Sequence, residues 1–396
     1  MANAIFGALP TTIFTVMSGL AREHGAINLG QGFPDEPGPL AIRERAAMEA
    51  VEGDNQYPPM QGRPELREAV AAHYARTQGL EFDWRSEITV TSGATEALAA
   101  AFLGLIETGD EVVLFQPTYD SYLPMVRRAG GVPKLVRLAP PDWRFDRAML
   151  EAAFSDRTRL VVLNTPLNPT GTVATDAELA LLAEFCLRHD AVVVCDEVWE
   201  QVVFAPARHR SPMLSRGMRE RTVKIGSAGK MFALTGWKVG FLCAAPKLTA
   251  SLAKAHQFLC FTTPPNLQAA VAWGLANSDA WFAEMPGSLA ASRDRLIGAL
   301  RAEGFAALSC EGTYFLTVDL AASGVPMDDL SFCHLAVREA GVAAIPVSAF
   351  YESDPVSAII RLCFAKRDET LDEGARRLAK ARDVAVRRAR ADSVRA

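Results

Sequence analysis

The stretch Ala191-Val192-Val193-Val194-Cys195-Asp196 decides the fold. Five consecutive apolar residues with no polar alternation mark a strand covered on both faces, and such strands belong to parallel sheets. Leu160-Val161-Val162-Leu163 repeats the pattern, and residues 87–91 and 112–115 read as further strands. Between them, residues 95–107, 118–129 and 176–189 keep helical spacing. The alternation predicts an α/β domain with a mainly parallel central sheet, whose ligands lie beyond the carboxyl ends of the strands. The opening stretch ends on a carboxylate at such an end. Asp196 is costly to bury there unless a cation or donor meets it, which suits an active-site acid better than a structural ion pair. Its neighbour Glu197 is the candidate for the structural role.

Past about residue 290 the pattern changes to a long helix, strands at 313–320 and 359–364, and a helix at 328–340, which predicts a smaller α+β domain. The expected division is residues 1–45 as an N-terminal arm and part of the small domain, 46–289 as the large domain, and 290–396 as the C-terminal small domain. A formal charge of −5 argues against nucleic-acid binding, which needs a basic face. The basic residues from 376 to 395 keep helical apolar spacing and read as a solvated helix face. The seven cysteines show no zinc or redox spacing and sit in apolar runs, so no metal is expected and a reducing compartment is. No run of ~18 apolar residues and no cleavable leader pattern is present, so the protein is expected to be cytoplasmic and not membrane-bound.

Several stretches could carry chemistry. In Val223-Lys224-Ile225-Gly226-Ser227-Ala228-Gly229-Lys230, the final lysine precedes Met231-Phe232-Ala233-Leu234, where poor hydration would depress its pKa and favour a nucleophilic amine. A lysine snorkelling from a buried loop reads the same way. Ser92-Gly93-Ala94-Thr95 joins a strand to a helix, which suits a phosphate or an ordinary N-cap. Asn168, in Asn164-Thr165-Pro166-Leu167-Asn168-Pro169-Thr170-Gly171, is held by a proline-stiffened turn and could aim its amide at a ligand. Arg361, in an otherwise apolar strand, could grip a carboxylate or serve a structural role. The glycines of Ile27-Asn28-Leu29-Gly30-Gln31-Gly32-Phe33-Pro34-Asp35 allow close backbone approach or plain turns.

A phosphate cradle, a carboxylate, a depressed-pKa lysine, a second lysine and an arginine anchor are together what pyridoxal phosphate needs. With Gln56-Tyr57, Gly62, Asp196-Glu197-Val198, Gly236-Trp237-Lys238-Val239-Gly240 and Arg361-Leu362-Cys363-Phe364, the chain resembles the fold-type-I aminotransferases of the methionine, kynurenine and glutamine transaminase K subgroup. The resemblance runs from Thr11 to about Leu378. It implies Lys230 as the Schiff-base lysine and Asp196 as the partner of the pyridine nitrogen. It further implies Asn168 on the ring's phenolic oxygen, Tyr119 stacked on the ring, and Gly93, Ala94, Ser227 and Lys238 on the phosphate. Tyr57 is implied to reach the phosphate of a second subunit, hence a homodimer with shared active sites. Arg361 and the Gly32 backbone are implied for the substrate carboxylate, with Phe14 and Phe261 near its side chain.

Three positions depart from the family pattern. Trp199 stands where a tyrosine is usual, and an indole N–H can only donate, from a different reach. Phe261-Thr262 and Ala228 carry smaller side chains than some relatives. Ser227-Ala228-Gly229-Lys230 also fits a Ser-x-x-Lys hydrolase, but its companion motifs are missing. Lys224 and Met231 break a Walker loop, and a pyridoxal-phosphate-binding regulator would need a DNA-binding extension. The expectation is therefore ping-pong transamination of a neutral sulfur-containing or aromatic amino acid, methionine first and kynurenine, phenylalanine or glutamine next, with a 2-oxo acid. A C–S β-lyase using the same residues is the alternative.

Overall fold

Among residues 3–395, which the computed structural model describes, a short strand β1 (Ile27–Asn28) precedes seven strands of one sheet. These are β2 (Ile88–Thr91), β3 (Glu111–Gln116), β4 (Val132–Arg137), β5 (Thr158–Asn164), β6 (Val192–Asp196), β7 (Thr222–Ser227) and β8 (Gly240–Cys243), in the order β2-β8-β7-β6-β5-β3-β4. Only β8 runs against its neighbours, so the sheet is mainly parallel as expected. β2, β3, β7 and β8 are buried at every residue, and β5 and β6 at all but one, which is why residues 160–163 and 192–195 read as unbroken apolar runs.

Two strands are not evident in the sequence. β4 holds Pro133 and pairs only with β3, an edge position where a missing N–H is tolerated. β8 is four residues long and begins at Gly240, inside a stretch that reads as loop. The helix expected at 118–129 is shorter, Tyr122–Arg128. Residues just before it are drawn aside where the Thr118 N–H bonds Phe350 O at 2.8 Å, leaving Tyr119 at the strand ends.

Strands β9 (Ala306–Ala307), β10 (Phe315–Asp319), β12 (Ile345–Pro346) and β13 (Ile359–Cys363) form an antiparallel sheet in the order β12-β13-β10-β9. β11 (Val342–Ala343) pairs instead with β1, so the N-terminal segment joins the C-terminal part of the fold. Arg361 lies in β13 between Thr317 and Ile345. The helix Asp279–Ala302 runs unbroken across residue 290 and packs along the terminal helix Asp368–Arg395. On the terminal helix, Arg376 and Arg377 pair with Glu373 and Arg388 with Glu339, so the basic run includes solvated ion pairs. All seven cysteines are unpaired. No helix among the described residues is long and apolar enough to cross a membrane.

Candidate active site

The carboxyl ends of the parallel strands open into a cleft of about 280 Å³, and Arg361 of β13 reaches the same cleft. All the residues to which the resemblance gives a cofactor or substrate role line it except Tyr57 and Phe261. Those two are exposed, at 83% and 40%, and pack on one another edge to face with ring centres 5.5 Å apart.

Lys230 sits in the one-turn helix Ala228–Met231 that follows β7. Its Nζ donates to the Tyr314 hydroxyl at 3.3 Å and lies 4.6 Å from the Trp199 ring centre. Burial pushes its pKa down to about 8, against the opposing pull of Cys363 and Asp196. An amine with that pKa is partly neutral near pH 7.

Asp196 caps β6, opposite Ile225 on one side and Asn164 on the other. Burial raises its pKa, while the Tyr122 hydroxyl, donating to Oδ2 at 2.5 Å, and Lys230 act to lower it. Its backbone oxygen accepts from Asn164 Nδ2 at 2.9 Å, and Asn164 Oδ1 accepts from the Asn168 N–H at 2.9 Å. Asn168 Oδ1 then accepts from Arg361 Nη1 at 2.8 Å. A guanidinium can only donate, so the Asn168 oxygen must face it, which leaves the Asn168 NH₂ for another acceptor.

Arg361 is almost fully enclosed, at 1% exposure. Its Nη2 donates to Gly30 O at 2.7 Å, and its Nε is buried without a partner. Phe14, Phe315 and Phe350 surround it, with ring centres 5.1, 3.8 and 5.6 Å from Cζ. Burial brings its pKa down to about 10, still a cation at neutral pH. No carboxylate forms an ion pair with it among the described residues.

The opposite end of the cleft is backbone. Gly93 has φ +74° and opens the helix Gly93–Leu105, whose first N–H groups have no intrahelical acceptor. A Cβ on Gly93 would lie 3.2 Å from Lys238 Nζ, and one on Gly240 would lie 2.6 Å from the Gly93 carbonyl carbon. Only glycine permits this approach. The Ser92 N–H is taken by Glu96 Oε2 at 3.0 Å. Glu96 also meets His256 Nδ1 at 3.0 Å, and His256 Nε2 meets Met60 O at 2.9 Å. A carboxylate and a carbonyl both accept, so both ring nitrogens carry hydrogen and His256 is an imidazolium.

Burial alone would lower the His256 pKa, but its bonds to Glu96 and Met60 raise it above the ordinary value. A raised folded pKa contributes stability that is fully present below the unfolded value of ~6.5 and is lost as pH rises through the folded value. His256→Gln is therefore expected to lower the thermal midpoint most below the unfolded value of ~6.5 and by a shrinking margin as pH rises above it. A margin independent of pH would exclude the imidazolium.

The sequence reading missed several groups. Tyr314 lies just before β10 and Phe315 begins it, and nothing local marks them as more than strand aromatics. Tyr122 follows Tyr119 by three residues, one helical turn, a spacing that could have suggested it. Behind the sheet, fully buried Lys224 bonds Glu197 Oε2 at 2.6 Å and also Glu200 Oε2. Tyr74 donates to Glu200 at 2.7 Å, Ser211 donates to Glu197 at 2.8 Å, and His209 Nε2 lies 2.7 Å from Glu197. The carboxylates of Glu197 and Glu200 with His209 could group around a metal ion, but the Lys224 ammonium already bonds both carboxylates. Glu197 thus takes the structural place expected of it.

The donor set fits pyridoxal phosphate: Lys238 beside a glycine-lined helix start and, among the described residues, an Asn168 NH₂ without an acceptor and an Asp196 without an ion-pair partner. A family model for aminotransferase class I and II matches residues 24–378. The chain is 45% identical over 370 residues to a methionine aminotransferase of Escherichia coli strain K12, covering 93% of this chain and 96% of that protein. It is 37% identical to human kynurenine–oxoglutarate transaminase 1, covering 89% and 91%. The solved structure of N-succinyldiaminopimelate aminotransferase from Mycobacterium tuberculosis superposes with a TM-score of 0.93 at 44% identity, covering 96% of this chain and all of that one.

Proposed function

The chain belongs to aminotransferase class I and II, with the fold type I architecture and pyridoxal phosphate of that family, and on that premise we propose its donor, its site residues and its assembly. The donor is a neutral sulfur-containing or aromatic amino acid, methionine first, and the acceptor a 2-oxo acid. The observation that carries this reading is the Arg361 box. One buried cation without a carboxylate partner awaits one carboxylate, and three phenylalanine rings surround it. The other two cations lining the cleft, Lys230 and Lys238, are committed to the amine chemistry and the phosphate, so an acidic side chain would find no partner there. The same argument disfavours a donor with several carboxylates. The transaminase relatives lend the lyase alternative no support.

When bound, pyridoxal phosphate supplies an aldehyde for the amino group and a ring that holds the electron pair released at the substrate carbon. Lys238, Ser227 and the backbone of Gly93 and Ala94 hold its phosphate. Asp196 keeps the ring nitrogen protonated, and Tyr122 keeps Asp196 in place. Asn168 would donate to the ring oxygen, Tyr119 would lie against the ring with Trp199 in the place of the usual tyrosine, and the Lys230 amine would hold the cofactor aldehyde and serve as the base and acid at the substrate carbon. Arg361 and Gly32 orient the substrate carboxylate, with Phe14 beside its side chain. The exposed pair Tyr57 and Phe261 is the surface that a second copy covers, with Tyr57 reaching the partner's phosphate. Seven unpaired cysteines suit a reducing cytoplasm.

A scan of amino donors against several 2-oxo acids tests the donor. Methionine and the aromatic amino acids are expected to lead, and a clear preference for aspartate or glutamate would overturn the reading. Pyruvate release from a cysteine conjugate without any acceptor would instead favour the lyase. Arg361→Lys keeps the charge but loses the fork, and is expected to raise KM for the donor about 10- to 100-fold, the worth of a charge-assisted hydrogen bond. Cofactor absorbance should be retained, and an unchanged KM would remove Arg361 from carboxylate binding.

A further inference from the structure

We propose that Tyr314 is a positioning residue for the reaction, its hydroxyl holding the Lys230 amine and tying it to residues 30–33 at the carboxylate end of the site. The inference rests on the reading of Lys230 as the reacting amine. Tyr314 is 2% exposed, and its hydroxyl lies between two partners. It donates to Gly32 O at 2.7 Å and accepts from Lys230 Nζ at 3.3 Å. A phenol has one proton, and a backbone carbonyl can only accept, so that proton is committed to Gly32. Towards Lys230 the oxygen presents lone pairs alone.

The ring is a fixed post. It packs edge to face on Trp199 with centres 4.4 Å apart and on Phe315 at 5.0 Å, and its backbone oxygen accepts from the Phe364 N–H at 3.0 Å. Around the Lys230 amine, Tyr314 is the one hydrogen-bond partner among the described residues, the Trp199 and Tyr314 ring faces being its other neighbours. The amine needs such a post because Lys230 also lines a second cleft of about 630 Å³, bounded by Tyr314, Trp281 and Met285. Gly32 completes the link. A Cβ there would meet Phe315 Cζ at 2.9 Å and Arg361 Nη2 at 4.0 Å, so the carbonyl that Tyr314 holds belongs to the backbone closing over the arginine. Seating of a carboxylate at that end and placement of the amine thus share one hydroxyl.

The test uses the apoprotein. The pH dependence of Lys230 acylation by acetic anhydride, resolved by peptide mass spectrometry, reads its neutral fraction directly. The charged and titratable groups facing the amine are Asp196, Cys363, Arg361 and Lys238, and all remain in the variants. Tyr314→Phe removes an acceptor that favours the ammonium, so the midpoint is expected to fall by about half a pH unit or more from the wild-type value near about 8. In the holoenzyme kcat should fall about tenfold while KM for the donor changes by less than about threefold. Tyr314→His keeps an acceptor on a ring and should return the midpoint towards wild type. Each variant decides alone if the other fails to fold: Tyr314→Phe must lower the midpoint and Tyr314→His must not. An unmoved midpoint with a raised KM in Tyr314→Phe would make Tyr314 a brace for the loop only and overturn the proposal. The acylation midpoint does not depend on whether Lys230 bonds the cofactor, so this outcome is separable from failure of the underlying reading.

Discussion

A Lys230→Ala protein is expected to lose transamination by about 10⁴-fold or more, and with it the visible band that depends on the bond between the lysine and the cofactor. On the proposed reading two tasks fall on one amine, the bond to the cofactor and the transfer of the proton, so a single substitution would remove both. The surroundings explain why no neighbour takes over. Lys238 lies at the phosphate end, close against Gly93, and Arg361 is held by Asn168 and Gly30. Neither is free to move to the reacting carbon, and a guanidinium stays protonated. The variant should still hold cofactor through Lys238, Asn168 and Asp196, though it should lose it faster on dialysis. Retained turnover would remove Lys230 from the chemistry, whatever the family pattern.

Lys224→Met is expected to be the most destabilising single change outside the cleft. It leaves Glu197 and Glu200, both buried, without the cation that joins them, and breaking such a group costs about 3–5 kcal/mol. For a chain of this length that corresponds to a fall of about 5 °C in the thermal midpoint. Adding Glu200→Gln removes the repulsion and should recover most of the loss; a double variant no better than the single one would place the cost in packing. The acid side follows from the same cluster. Burial alone would raise the Glu197 pKa, but Lys224 and His209 bring it down to about 2. Its contribution is therefore present above the ordinary carboxylate value of ~4.3 and is lost as pH falls towards about 2.

The sequence was most legible where one local rule acted alone. Asp196 stands out because it ends an apolar strand, Lys230 because it precedes an apolar run, and the parallel sheet because β5 and β6 do not alternate. β4 and β8 were hidden by a proline and a glycine that only an edge position and a close backbone approach explain. Trp199 was noticed as an exchange for tyrosine, but its contact with Tyr314, 115 positions along the chain, comes from two parts of the fold meeting. The same is true of the Phe14, Phe315 and Phe350 box. Lys224 looked like any lysine in a strand, because the glutamates it joins lie on the neighbouring strand end and the turn beyond it.

The contact of Gly240 with Gly93 has a consequence for how this enzyme can change. At that end of the cleft the geometry is set by two main chains, so there is little side chain to mutate and little to inherit differently. The other end is assembled from Phe14, Phe315 and Phe350, which single nucleotide changes can reshape. Donor preference can therefore drift, in nature or by directed selection, while the coenzyme end stays as it is. Libraries aimed at new amino acids belong at those three aromatic positions, and the glycines should be left alone.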